Sequence, residues 1–344
     1  MPAIGRYVRV ATFVALASVA LLAAPPAFAG GRGGDGTRDS TDNSANLNDD
    51  GTLSVSAGGV RFDHSKNGKG GKVGGLTSST SWSPPPCWYA PKYSPEELQA
   101  YLEPIWEAGS TGHEWDNEQR EKYTNPDDPE KDFNKHKSGK GYWWGSYVNK
   151  SFPPGWDSCT KDYFWVDQGD PPPADVENAV TPEILAELAY SEIRVPGTEV
   201  TLAPAQATKV NLPTWAWLDG AQFRPVSVTA SVPEIGISAT ATAEPVSLKI
   251  QPGTPDAETY PASGVCEINN GRIGEPYAKG KANRTPPCGV QYLRSSGDGT
   301  FPLQATVTWE VHWTGSDGTG GDLPDGEFGA TQDVVVQEIQ AVNR

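Results

Sequence analysis

Between residues 226 and 250 apolar side chains occupy every second position, and the parity flips twice. They fall on even positions from Val226 to Val232, on odd positions from Ile235 to Ala243, and on even positions again from Val246 to Ile250. Period-two alternation marks a strand with one packed and one wet face. Each flip coincides with a proline, Pro233 and Pro245, which predicts that one strand ends and another begins at each. Leu303, Ala305, Val307, Trp309, Val311 and Trp313 alternate without a break. Together with 210–218 and 334–339 these runs predict about six or seven strands, suited to an antiparallel two-sheet sandwich.

Helical spacing appears in two places. In "SPEELQAYLEPIWEAG" Ser94 is placed as N-cap, Pro95 at the first helical position, Glu97 as the return arm of a capping box and Gly109 past the end. The apolar face is Leu98, Tyr101, Leu102, Ile105 and Trp106, and Pro104 is expected to bend the helix or end it early. A second helix is expected after Thr181 as cap, with Pro182 first and Ile184, Leu185 and Leu188 on one face. The polar stretch "YTNPDDPEKDFNKHKSGKG" between the first helix and residue 141 reads as a long loop, and His113 as a loop residue.

Composition divides the rest. Residues 30–81 are Gly, Ser, Thr, Asn and Asp with few large apolar groups, a composition expected to stay a flexible arm. Only Leu53, Val55, Val60 and Phe62 hint at a short strand there. Residues 82–170 hold eight of the twelve tryptophans, enough aromatic mass for a small α+β core. A proline linker and short helix, 171–195, then lead to the sandwich, 196–344. The expected class is therefore mainly β, with a disordered N-terminal arm and a small aromatic-rich α+β domain before the C-terminal sandwich.

Residues 1–29 read as an export signal: Arg6 and Arg9, an apolar run from 11 to 24, and Ala27-Phe28-Ala29 at the cleavage position. That run is too short for a permanent span, and no later stretch approaches the ~20 apolar residues a membrane helix needs. No cysteine marks a lipid attachment at the cleavage site, and no hydrophobic tail closes the sequence. Loss of 1–29 removes two arginines and no acid, so the formal charge moves from −16 to −18. This excess of acid argues against nucleic acid or an anionic membrane as a partner held by bulk charge, although it leaves room for a local basic patch.

Cys87, Cys159, Cys266 and Cys288 all lie in the exported part, where an even count reads as disulfides. Of the three possible connectivities, Cys87–Cys159 and Cys266–Cys288 keep each bridge within one region. A zinc site of four thiolates is disfavoured by the lack of any C-x-x-C pair.

The blocks "LPTWAWLDGAQFRPVSVTASVP", "GVQYLRSSGDGTFPLQATVTWEVHW", "GGDLPDGEFG" and "VQEIQAVN", in this order and spacing, resemble the C-terminal part of uncharacterised secreted proteins of Streptomyces and related actinobacteria. The resemblance covers roughly residues 208–344 and implies a PKD- or immunoglobulin-like sandwich, with the Tyr292 strand preceding the last hairpin, and an extracellular or envelope location. The chain departs from a PKD module at "VSLKIQPGT", where a Gly-Asp-Gly turn is expected, so the broader Ig-like label fits better.

Some members of that group carry names that imply ATP/GTP binding or enoyl reduction. Each Gly-Lys pair, at 68–69, 71–72, 139–140 and 280–281, lacks the following Ser or Thr of a phosphate-binding loop. The one G-x-G-x-x-G match, Gly31, Gly33 and Gly36, has neither a strand before it nor a helix after it. No G-x-S-x-G elbow occurs, and His113-Glu114 lacks the second histidine of a zinc hydrolase. Neither nucleotide, cofactor nor metal is therefore expected. Asp127, Asp128, Glu130, Asp132 and His136 fit no known calcium loop and read as a solvated charge run, with a carboxylate-dependent hydrolase as the enzyme alternative. Asp317, Asp322, Asp325 and Glu327 read the same way.

"GYWWGSY" at 141–147 carries the best candidate surface. On a strand Trp143 and Trp144 must point to opposite faces, so one of them needs a cover: the arm, the sandwich, a partner protein or a sugar ring stacked on the indole. Tyr163, Phe164 and Trp165 pose the same problem on a second strand. The candidate binding strip is Tyr142, Trp143, Trp144 and Trp165, beside Asp157, Asp162, Asp167 and Gln168. The leading expectation is a non-enzymatic structural or interaction module of the envelope or extracellular space, with a cell-wall glycan or another envelope protein as partner; the alternative is carbohydrate or cell-wall binding through an exposed Trp143 or Trp144.

Overall fold

The parity flip at Pro245 is not a turn. In the computed structural model, which describes residues 44–47, 53–57, 59–69, 73–109, 113–149, 155–218, 223–269 and 272–339, a single strand runs from Ile237 to Gln251 straight through it. Ala239, Ala241 and Ala243 are buried before the proline, and Leu248 and Ile250 after it. Val246 is the extra residue of a β-bulge, since pairing with the Phe301–Gly315 strand jumps between Pro245 and Ser247. One inserted residue reverses which side chains face the core, and a bulge is where a sheet interior tolerates a residue without an N–H. The flip at Pro233 does mark a hairpin, joining Val226–Val232 to Ile237–Gln251.

These strands form the spine of a large antiparallel sheet. Its order is Ser44–Leu47, Leu53–Ala57, Val60–Asp63, Val226–Val232, Ile237–Gln251, Phe301–Gly315, Gly320–Val334 and Thr77–Ser78. A four-stranded sheet runs Thr201–Ala203, Thr214–Trp217, Gly289–Tyr292, Ala257–Tyr260. Its inward residues Leu202, Ala216, Val290 and Tyr292 share one core with Leu248, Ile250, Leu303 and Val307 of the large sheet.

The stretch expected to be a flexible arm supplies strands instead. Val60–Asp63 extends the large sheet beside Val226–Val232, and Thr77–Ser78 closes on Gly326 and Glu327 at the other edge. Between them Val73–Gly75 pairs with Arg194–Pro196. Val60 and Phe62 enter the main core and Leu76 packs against it, while the rest docks by backbone and a few polar groups, so a low average apolar content hid it. Asn67 Nδ2 donates to Glu192 O at 2.9 Å, its Oδ1 accepts from Arg194 N, and Gly68 N donates to Arg194 O. Gly74 is required by close approach: a Cβ there would lie 2.0 Å from the Phe328 ring. Residues 1–43, which include the expected export signal and the Gly31–Gly36 motif, lie outside the described residues.

Three α-helices fall among the described residues. Helix α1, Pro95–Ala108, has both capping-box bonds and a left-handed Gly109 at its end. Pro104 does not stop it: Trp106 beyond the proline is buried, and Gly109 N closes the last turn on Ile105 O. Helix α2, His113–Thr124, takes in His113, expected in a loop, and only the first two residues of the long loop expected from Tyr123, the rest of which is turns and a short 3-10 stretch. The helix is polar almost all round, so no apolar stripe announced it; Glu114 and Asp116 at its start and Lys122 at its end suit the helix dipole. Helix α3, Pro182–Ser191, is capped by Thr181 as expected and buries Leu185, Ala186, Leu188, Ala189 and Tyr190. Trp82 stands edge-on to Tyr190 at 4.7 Å.

The tryptophan-rich region forms a three-stranded sheet, Cys87–Tyr93, Gly141–Val148 and Phe164–Asp167. The stretch that follows the prolines is tied to this sheet. Tyr89 N donates to Asn178 O and Val180 N to Tyr89 O, so 178–180 runs along the first of these strands. Trp144, Val166, Val180 and Leu185 belong to the same core as Leu248. Both disulfides join the expected partners, Cys87–Cys159 and Cys266–Cys288.

Two outcomes follow. Cys87–Cys159 closes a span of 72 residues, so the Cys87→Ala/Cys159→Ala variant should lose about 4 kcal/mol in urea unfolding by loop-closure entropy; a loss under about 1 kcal/mol would show that the span is held without it. Glu192 is kept below the usual glutamate range, first by the His64 hydrogen bond and further by Arg194. A depressed carboxylate contributes stability above its unfolded pKa that is lost as pH falls through the folded value. Acidification below the ordinary glutamate range should therefore loosen the 64–75 segment before the core, read as faster hydrogen exchange at the Gly68 amide after correction for the intrinsic rate; equal protection at pH 3 and pH 6 would refute this.

Candidate functional site

Strand alternation places Trp143 and Trp144 on opposite faces, and both are covered from within the chain. Trp143 is 0% exposed and Trp144 1%, so neither indole offers a face to a ligand. Trp144 enters the main core beside Phe164, at 6.0 Å between ring centroids. Trp143 enters a second core made by α1, α2 and the 131–137 turn: Leu98, Leu102, Trp106, Tyr123, Phe133 and Tyr163. The region is small in chain length, yet its sheet is covered on both sides, which is why two adjacent tryptophans can both be interior.

Register then splits the expected strip. Trp143 faces Trp165 and Tyr142 faces Val166 across the sheet, so Trp165 shares the Trp143 face while Tyr142 shares the Trp144 face. The four residues cannot form one contiguous platform. Tyr142 and Trp165 are each partly exposed. Trp165 stands edge-on to Trp143 at 5.6 Å and donates its Nε1–H to Asp167 Oδ1 at 2.8 Å. That bond, with Lys137 3.3 Å from the same carboxylate, holds Asp167 below the usual carboxylate range. Lys137 also sits 5.7 Å from the Trp165 ring centroid. Asp157 is exposed, Asp162 accepts from Gln119 Nε2, and Gln168 bonds by its backbone to Lys140 O.

The second core carries the main backbone strain of the region. Asp132, Phe133 and Asn134 are consecutive left-handed residues, with φ of 50°, 55° and 60°, a conformation costing roughly 1–2 kcal/mol for each residue with a Cβ. What the turn achieves is placement. Phe133 stacks on Tyr123 at 4.6 Å and 9°, and its carbonyl accepts the Trp143 Nε1–H at 2.8 Å. Burial holds the Tyr123 and Tyr163 phenols well above their usual pKa. Asn134 is 2% exposed, and its Oδ1 has no hydrogen-bond partner among the described residues.

The acidic run around this turn is spent on local structure. Glu130 pairs with Lys122 at 2.7 Å, Asp132 with Lys135 at 3.0 Å, and Asp128 Oδ1 accepts from Glu130 N. His136 is exposed, and His113 opens α2. At the other acidic stretch Asp317 Oδ1 accepts from the Thr319 backbone, folding the tip of a hairpin. No group of three His, Cys, Asp or Glu suited to a metal ion occurs among the described residues.

A second tryptophan pair lies outward on the four-stranded sheet. Trp215 and Trp217 flank the inward Ala216. Trp215 is buried beneath residues 275–284: Tyr277 meets it edge-on at 5.9 Å, and Lys281 Nζ lies 5.1 Å from its ring centroid. Tyr277 itself is 41% exposed. Nothing local marks this pair, because "TWAW" alternates as any half-buried strand does and does not show what covers it.

Comparison with protein-family models, curated proteins and solved structures finds no significant match to this chain.

Removing the Trp143 side chain deletes a fully buried ring and leaves the Phe133 carbonyl without its donor. Trp143→Ala should cost about 3–5 kcal/mol in denaturant unfolding, whereas Trp165→Ala, at a partly exposed ring, should cost about 1–2 kcal/mol. Equal losses would mean that the second core does not depend on Trp143.

Proposed function

We propose that this chain is an exported, disulfide-stapled structural or interaction module of the cell envelope or extracellular space that acts by binding rather than by catalysis. The observation that carries the reading is the use of cysteine: all four pair into two disulfides, one tying Cys87 to Cys159 and the other Cys266 to Cys288, with no cysteine left free. Such bridges persist in oxidising compartments. The signal-like character of residues 1–29 supports the same location, as does the resemblance of 208–344 to secreted actinobacterial proteins. No helix among the described residues is long and apolar enough to cross a membrane.

The two sheets that share a core through Ala216, Val290, Leu248 and Leu303 are read here as an Ig-like spacer. On this reading the aromatic region is a rigid cap on that spacer, and binding belongs to the surface. A hydrolase built on Asp127, Asp128 and Asp132 draws less support, because Asp128 and Asp132 serve turns and lysine pairing.

Expression of the complete sequence in a secreting bacterial host tests the proposal. The expected product lies outside the cytoplasm, begins at Gly30 and has an intact mass with both disulfides formed. Recovery of the unprocessed chain from the cytosol with four free thiols would overturn it.

A further inference from the structure

Residues 272–288 form an excursion whose two ends dock on one strand. Leu218 N donates to Ile273 O at 2.9 Å and Ala216 N to Cys288 O at 3.0 Å. Gly274, at φ +71°, is the pivot on the outgoing side, where a Cβ would lie 2.3 Å from Ala216 O. Cys288 is bonded to Cys266, so the return end is covalently held. The excursion is thus a loop fixed at its base and folded over Trp215.

Its charge runs against the rest of the chain. Arg272, Lys279, Lys281 and Arg284 face a single acid, Glu275, giving the loop a formal +3 on a chain of −16. Lys281 is used internally: its Nζ binds Glu275 Oε1 at 2.5 Å and Pro276 O at 3.0 Å, and lies over Trp215. Arg272, Lys279 and Arg284 are exposed and form no ion pair among the described residues. Tyr277, one of the few large exposed hydrophobic side chains described, lies among them in sequence. Beside the loop base opens a cleft of about 680 Å³, lined by Arg272, Glu275, Glu267 and both cysteines of the disulfide among others.

We propose that this loop docks an acidic polysaccharide whose sugar rings carry carboxylates. Arg272, Lys279 and Arg284 meet the carboxylates, and the Tyr277 ring meets a sugar face. Carboxylates are matched by guanidinium and ammonium donors, and an exposed aromatic ring gives an apolar face with a polar tip. Charge density selects among polyanions. Double-stranded DNA carries one charge per about 1.7 Å, and a strongly acidic protein repels such a polymer beyond the short loop. A polyuronate, with one charge per sugar, needs only the few cations present. The inference rests on the reading of the chain as an extracellular interaction module and names its partner.

Affinity electrophoresis of the processed, disulfide-bonded chain in gels containing polygalacturonate, a neutral glucan or linear duplex DNA tests it independently of the export assay. Mobility is compared in each case with a polymer-free gel. Retardation is expected in polygalacturonate alone, and it should be relieved by added salt. The Arg272→Glu/Lys279→Glu/Arg284→Glu variant should bind at least about tenfold more weakly, and Tyr277→Ala a few-fold more weakly at every salt concentration. Replacement of the same three cations by Gln gives the same comparison if the reversals disturb folding. No retardation of the wild type by polygalacturonate, equal retardation by DNA, or wild-type binding by both triple variants would each overturn the proposal. Failure here leaves a successful export result standing, so the two readings fall separately.

Discussion

The structure depends on burial of both faces of one strand. Gly141–Val148 carries adjacent indoles, and strand geometry sends them in opposite directions. Trp144 is inserted into the core shared with α3 and the large sheet, and Trp143 into the core under α1 and α2. A single three-stranded sheet thereby joins the aromatic region to the rest by packing, which a linker could not do. The Cys87–Cys159 bridge and the backbone bonds of 178–180 hold this sheet at its margins.

Around the large sheet a different economy holds. The 60–78 segment reaches both edges, on Val226–Val232 at one side and Gly326–Glu327 at the other, crossing the Arg194–Pro196 strand on its way. Backbone pairing with each edge satisfies groups that would otherwise remain a template for association. Three apolar anchors, Val60, Phe62 and Leu76, suffice for this, so an otherwise glycine- and serine-rich sequence can do it. The Pro245 bulge serves the same sheet by letting one long strand keep its apolar residues inward on both sides of a register shift.

Aromatic residues here divide by what lies above them. Trp143, Trp144 and Trp309 are interior, and Trp215 is interior with the 275–284 chain folded over it through Tyr277 and Lys281. The cover of Trp215 is itself exposed, cationic and anchored by a disulfide. The exposed cationic surface thus lies where a loop has been fixed, while the densest tryptophans, Trp143 and Trp144, are interior.

Much was legible locally. The capping box of α1, the Thr181 cap of α3, the proline at the first position of each, the strands around 226–250 and 303–313 and the mainly β class are consequences of near-neighbour chemistry and spacing, and both cysteine pairings follow from keeping each bridge within one region. What only the tertiary structure decided is where each element finds a partner. Helix α2 lacks an apolar stripe and takes its place through Tyr123 alone among its described buried apolar side chains. The parity change at Pro245 reads identically for a turn and for a bulge, because both advance the chain by one residue relative to the sheet; neighbouring strands settle which. Exposure of Trp143, Trp144 and Trp215 is a property of what packs above them, contributed by residues far along the chain, and alternation along a strand specifies direction without specifying cover.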